Sequence, residues 1–285
     1  MSNEPAAASP VKPRSDLRLR VLSALVMAVI VLFATFLGGP VYRLFAAALA
    51  LLVFHEWSAM KPTLPRDNRL LAWGALVAAL VPLVLGMPDW VVLIAIALAS
   101  LLAGLHALGS NAGLWNAFGI AYAALPALAI AALRGDTMNG LIIVLYLYAV
   151  VWATDIVAYF VGRALGGPKL APSISPGKTW SGAAGGTVGA CAAGVGLLMV
   201  MGVSGAALIF AALLALALSV VSQAGDLFES ALKRRNGMKD SGSLIPGHGG
   251  VMDRVDGLVA AALLLYAAFA LASMAGTLPA GLLAL

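Results

Sequence analysis

Between Asp226 and Asp256 the chain reads DLFESALKRRNGMKDSGSLIPGHGGVMDRVD, and ten of its 29 charged residues fall in those 31 positions. Five are acids (Asp226, Glu229, Asp240, Asp253, Asp256) and five are cations (Lys233, Arg234, Arg235, Lys239, Arg254). Asp253 and Asp256 are three apart, so one helical turn sets their carboxylates side by side; on a helix Asp226, Ser230 and Lys233 also share a face. Aspartates without a Cys or His set suit a hard cation held by oxygens, and Mg2+ is the usual one where phosphates complete the shell. Lys and Arg alongside them can hold phosphates, Arg in bidentate fashion. Gly247, Gly249 and Gly250 let the backbone approach a ligand. His248, among these glycines, is open to three readings: proton donor, phosphate contact or turn residue. A solvated basic loop explains Lys233 to Arg235, but not three aspartates at helix ends, nor Gly-His-Gly-Gly.

Two smaller polar clusters precede this one. In TDIVAYFVGR (154–163), Asp155, Tyr159 and Gly162 are spaced 4 and 3 and share a helix face. A carboxylate inside an apolar run faces a cavity or a partner; a packing salt bridge to a loop cation is the alternative. In PSISPGKTWSG (172–182), Ser175, Lys178 and Thr179 lie just before an apolar run. Backbone amides at a helix start, with a lysine beside them, suit an anion. The spacing is not that of a P-loop, and a plain polar loop fits as well.

The elements that must position these groups are membrane helices. The 285 residues are 62% hydrophobic and 10% charged, where a soluble domain carries about 25% charge; mean hydropathy is +1.00. Apolar runs near the length that crosses hydrocarbon fall at 21–37, 41–60, 70–86, 89–108, 115–133, 140–161, 182–201, 205–224 and 257–275. The expected fold is therefore an all-α, polytopic bundle of nine transmembrane helices. With the N-terminus in the cytoplasm and the C-terminus outside, fifteen basic residues face inward and only Arg43 and Arg134 outward, as the positive-inside rule requires. All three polar clusters then sit at the cytoplasmic end. A net charge of +5 calls for no nucleic acid, since anionic lipid faces those cations. The single cysteine, Cys191, excludes an intramolecular disulfide and a cysteine metal cluster.

Residues 1–19, rich in Pro, Ala and Ser, read as a disordered cytoplasmic tail, and the first apolar run as a retained helix rather than a cleaved signal. Polar groups are sparse up to about residue 150, with His55 and Glu56 the main exceptions. The chain thus divides into a transmembrane scaffold half, 20–135, and a catalytic half, 136–285. His55 and His106 read as packing or interface residues. Small residues at i, i+4 spacing in GAAGGTVGACAAGVG (182–196) favour close helix packing, and such faces also allow a dimer.

The stretch SALKRRNGMKDSGSLIPGHGGVMDRVD, from Ser230 to Asp256, resembles the signature of the phosphatidate cytidylyltransferases, also called CDP-diacylglycerol synthases. That pattern is S-x-apolar-K-R-x4-K-D-x-small-x2-apolar-P-x-H-G-G-apolar-x-D-R-apolar-D, and every specified position is met. The resemblance extends to DIVAYFVGR from Asp155 and SPGKT from Ser175; the N-terminal half matches in hydropathy. Ser181 departs from the pattern, standing where the family often has an acid or amide.

The resemblance implies an enzyme of phospholipid biosynthesis in the bacterial inner membrane, with its active site on the cytoplasmic side. CMP would pass from CTP to phosphatidate, giving CDP-diacylglycerol and pyrophosphate, with Mg2+ required and K+ a candidate second ion. It implies Asp226, Asp253 and Asp256 as metal ligands, and Lys233, Arg234, Lys239 and Arg254 as phosphate holders. Asp240 and His248 complete the catalytic set. Ser175, Lys178, Thr179 and Ser230 would line the substrate site, Asp155 and Tyr159 would support it from the sixth helix, and Gly249 and Gly250 would shape the nucleotide loop. The family also suggests a homodimer.

Three rivals remain to be weighed. A CTP-dependent polyprenol or phytol kinase would release CDP instead of pyrophosphate. A CDP-alcohol phosphotransferase needs D-G-x2-A-R-x8-G-x3-D-x3-D, which fails after Asp256-Gly257. A secondary transporter would place an ion site near the bilayer midplane, yet no inverted repeat is visible and the acids gather at one face.

Overall fold

In hydrocarbon each segment must satisfy its own backbone amides, so helix is the form open to these runs. The computed structural model of the chain describes residues 17–110, 113–246 and 249–274. His248 and most of the expected N-terminal tail lie outside the described residues. Among the described residues there are nine helices: α1 (Leu17–Leu37), α2 (Gly39–Ala59), α3 (Arg66–Val84), α4 (Asp89–Ser110), α5 (Trp115–Arg134), α6 (Met138–Leu165), α7 (Trp180–Val200), α8 (Ala206–Arg235) and α9 (Met252–Met274). Eight of them are long and apolar enough to cross a membrane.

The apolar part of α1, Val21–Leu37, is shorter, but the helix still runs the length of the bundle. Near its start the Ser23 hydroxyl donates to the Pro246 carbonyl at 3.2 Å. At its other end the buried Arg134 donates to the carbonyls of Thr35 at 2.6 Å and Phe36 at 3.2 Å. Those are carbonyls a helix C-terminus leaves without intrahelical partners. The expected all-α membrane bundle is the observed architecture.

Helix α5 is the most enclosed of the candidate spans, with α2, α3, α4, α6 and α9 packed on it. Phe33, Leu98, Val188 and Leu213 point outward from the bundle, where acyl chains solvate them without penalty. Two helices are longer than expected. Helix α8 continues eleven residues past 224, and α6 reaches Leu165. At 1.5 Å per residue α8 is about 45 Å long, well beyond a hydrocarbon core of about 30 Å. Hydropathy marks where a helix leaves the lipid, not where it stops. Helix α9 begins at Met252, five residues earlier than expected, so Asp253 and Asp256 lie in its first two turns.

The segment expected as a loop before α7 instead forms a small antiparallel hairpin. β1 (Lys169–Ala171) pairs with β2 (Ser175–Thr179), with Lys169 opposite Thr179. Thr179 then caps α7, its Oγ1 accepting from the Gly182 amide at 3.1 Å, which satisfies one of the helix's free amides.

The small-residue face of α7 packs on α6, as the close-packing reading predicts. A Cβ on Gly186 would lie 2.7 Å from the Thr154 carbonyl and 2.9 Å from Ala158 Cβ; one on Gly182 would lie 2.8 Å from the Ala158 carbonyl. These contacts are within one chain, so this face is not available to a dimer. Because the obstruction at Gly186 is α6 backbone, Gly186→Val is expected to destabilise the detergent-solubilised protein by about 1–3 kcal/mol or more, read as a lowered Tm. Gly196→Val, where nothing lies within 4 Å, is expected to be far milder.

Candidate active site

Helices α6 to α9 and the hairpin enclose a cavity of about 590 Å³ at one end of the bundle, within the size range of small-molecule sites. Four carboxylates line it: Asp155 from α6, Asp226 from α8, and Asp253 and Asp256 from α9. Four cations line it too: Arg163, Lys169, Lys178 and Arg254. Ala158, Gly182, Ala183 and Gln223 line it as well.

The acids are held differently. Asp226 pairs with Lys178 of β2, and its Oδ1 accepts from Ser230 Oγ at 3.3 Å. This joins hairpin to helix, and it bears out the shared face of Asp226 and Ser230. Asp155 faces the cavity with no hydrogen bond from the described residues. Asp256 accepts the Gly257 amide at 2.7 Å through Oδ1.

Asp253 is the most heavily bonded. Lys233 Nζ lies 2.5 Å from its Oδ1, and the Ser241 and Gly250 amides donate to Oδ2 at 3.0 Å and 2.8 Å. Lys233 also lies 2.5 Å from Glu229, whose side chain is fully buried. Lys233 therefore sits between two carboxylates and does not line the cavity. A buried ion triad of this kind is strongly destabilised when one member is removed, because a charge is left unpaired.

The remaining expected residues divide. Lys178, Thr179, Arg254 and Tyr159 line the cavity, and the Tyr159 hydroxyl accepts from Arg163 Nη1 at 2.9 Å. Arg234 braces the hairpin instead, donating to the Ile174 carbonyl at 3.3 Å and to that of Met238 at 3.4 Å. Ser175 at the start of β2, and Lys239 and Asp240 on the loop after α8, also lie off the cavity wall. Gly249 has φ +86° and its carbonyl accepts the Ile245 amide at 2.9 Å. Ser181, the departure from the signature, ties α7 to α6 by donating to the Gly166 carbonyl.

Sequence reading passed over Arg163, Lys169 and Gln223 as site residues. Gln223 lies three residues before Asp226, so helical spacing alone pointed to it. Lys169 carried no such signal, since its place depends on the hairpin. A larger omission is Glu56 of α2. Its side chain is 1% exposed, with Oε1 accepting the Val251 amide and Oε2 accepting the Met252 amide and Ser241 Oγ, each at 2.8 Å.

Among the described residues no three Asp, Glu, His or Cys side chains form a ready-made metal cage. The donor set nonetheless fits Mg2+, which commonly takes one or two carboxylates and fills its shell with water and substrate phosphate. Asp226, Asp256 and Asp155 present carboxylates to one cavity. Asp253 borders it, but could serve as a ligand only by yielding one of its present bonds.

A model of the cytidylyltransferase family matches residues 18–272. A phosphatidate cytidylyltransferase of Brucella abortus is 47% identical over 258 residues, covering 88% of this chain and 93% of that protein. One from Pseudomonas aeruginosa is 38% identical, covering 86% and 94%, and one from Staphylococcus haemolyticus 35%, covering 84% and 94%. With the family match running from α1 into α9, and relatives this similar covered over most of their length, this chain belongs to the cytidylyltransferase family.

Proposed function

We propose that the protein is a phosphatidate cytidylyltransferase whose reaction takes place in the α6–α9 cavity. The observation that carries this reading is the placement of Asp155, Asp226, Asp256, Lys178 and Arg254 around one opening at the end of a membrane bundle. Two anionic substrates, one confined to the bilayer and one soluble, need such a meeting place.

An oxygen of the phosphatidate monoester, largely dianionic at neutral pH with a second pKa of about 6, attacks the α-phosphorus of CTP. The bond to the β-phosphate breaks and pyrophosphate leaves. No protein nucleophile is needed, so catalysis rests on positioning and charge stabilisation. Lys178, on the rigid hairpin, and Arg254, on the first turn of α9, bind and orient the phosphates. Arg163 and Lys169 extend that positive rim. Asp226 and Asp256 would hold Mg2+, with Asp155 behind them. When bound, Mg2+ supplies charge neutralisation for the triphosphate and for the departing pyrophosphate.

The site end is assigned to the cytoplasm, because fifteen of the 17 basic residues fall on that side of the topology. CTP would then enter from the cytoplasm while the acyl chains stay in the inner membrane.

Purified protein given phosphatidate, CTP and Mg2+ is expected to release pyrophosphate, not CDP, and to stop when EDTA is added. Asp256→Asn is expected to lower the rate about 100-fold or more. CDP formed only with an added polyprenol would assign the cavity to a lipid kinase instead. Lys178→Met is expected to raise KM for CTP about 10- to 100-fold, from the loss of a charged contact, as measured by initial rates. In a Cys191→Ser background, Lys239→Cys should resist an impermeant maleimide in intact spheroplasts and react after lysis; labelling before lysis would reverse the topology.

A further inference from the structure

We propose that Glu56, from the half of the chain read as scaffold, is the positioning residue for the acid-bearing turn of α9. Helix α9 starts at Met252, and a helix start leaves amides in need of acceptors. The usual acceptor is a Ser, Thr, Asp or Asn side chain just before the helix. Here the preceding residues are Gly249, Gly250 and Val251, none of which carries one. The acceptor arrives from α2 instead, 195 and 196 positions away in sequence. Glu56 Oε1 takes the Val251 amide, Oε2 takes the Met252 amide, and Ser241 Oγ adds a third donor, all at 2.8 Å.

Every partner of this carboxylate donates, and its negative charge faces the positive end of the helix dipole. The loop is shaped to admit it. A Cβ on Gly242 would lie 2.7 Å from Glu56 Oε1, and one on Gly250 would strike both Ser241 Oγ and Glu56 Oε2. The same loop is also held by Asp253, through the amides of Ser241 and Gly250. Two carboxylates thus grip the loop, one of them on the turn that carries Arg254 and Asp256.

Glu56 itself is fixed from below. Its neighbour Trp57 donates Nε1 to the Trp115 carbonyl at 2.9 Å, and Trp115 returns the bond to the Trp57 carbonyl at 3.1 Å. The rings stack with centroids 4.6 Å apart. The anchor is therefore rigid, and the start of α9 takes its position from α2 and α5.

This inference rests on the cavity being the active site, and its test separates the two. Glu56→Gln puts an amide N–H against backbone donors. It is expected to lower kcat about 10- to 100-fold and raise the Mg2+ needed for half-maximal rate about tenfold, with KM for phosphatidate unchanged. Glu56→Asp is expected to recover part of kcat. Ser241→Ala, which removes one donor and leaves the helix start capped, is expected to show the same signature at about 3- to 10-fold. Hydrogen exchange of the peptide spanning Gly250 to Arg254 should accelerate in Glu56→Gln while peptides in α5 keep wild-type protection. That readout needs no activity, so it tests the clamp even if wild-type protein makes no pyrophosphate. A folded Glu56→Gln with wild-type kcat, Mg2+ demand and exchange overturns the proposal. Should that variant not fold, a Ser241→Ala protein with wild-type kcat and exchange overturns it as well.

Discussion

Asp253 accepts from Lys233 of α8, from the Ser241 amide in the following loop, and from the Gly250 amide next to its own helix. Those bonds make one mechanical unit of α8, the loop and α9. Buried charge explains why Asp253 gathers so many donors. Asp253 and Glu229 lie where water does not reach freely, and a carboxylate there is tolerated only with donors around it. Lys233, set between the two, donates to Asp253 and sets its charge 2.5 Å from Glu229 as well, although neither Glu229 oxygen accepts a hydrogen bond among the described residues. The cations that line the cavity are others, Lys178 and Arg254 among them. The signature lysine thus contributes to the site by holding its wall.

Close backbone approach is the second constraint. The cavity wall between α6 and α7 is thin because glycines let the helices nearly touch; Gly162 and Gly182 sit within reach of each other and of Thr179 Oγ1. Thr179 caps α7 from the end of β2, and Lys178 is the residue before it. The capping bond that starts α7 therefore also fixes the root of the lysine that reaches Asp226. In this part of the molecule helix packing, helix capping and site geometry depend on the same few atoms.

The membrane class, the helix order and six of the eight charged cavity residues could be read from the chain because each depends on local pattern. Apolar runs report burial in lipid. The spacing of Asp155 and Tyr159, or of Asp226 and Ser230, reports a shared helix face. What escaped reading depends on distant partners. Nothing near Glu56 marks it as a helix cap, since its acceptor role appears only when α2 meets α9. The hairpin was hidden because SPGKT carries a proline and a glycine, which argue against a strand, and two short edge strands tolerate both. The last turns of α8 were hidden by their own charges. Lys233, Arg234 and Arg235 end the hydropathy signal, yet cations at a helix C-terminus favour continued helix there. Lys233 was read as a phosphate holder for a related reason: sequence shows a cation, but not the two buried carboxylates that claim it.

Charge balance in the cavity links the geometry to the chemistry. Four carboxylates and four cations line it, so the lining itself offers no large positive excess. Phosphatidate alone brings about −1.5 to −2, and the triphosphate of CTP brings more. Substrates of that charge entering a roughly neutral, partly desolvated pocket would repel one another and Asp155, Asp226 and Asp256. Additional positive charge would have to enter with them, and aspartates facing the same space could supply oxygen ligands for it. On the proposed function the acids and the anionic substrates would belong together, the carboxylates holding a cation that would let two polyanions approach. A lining richer in lysine would bind phosphate more readily without the metal. It would also keep hold of pyrophosphate, whereas a site whose excess charge arrives with one substrate can shed it with the product.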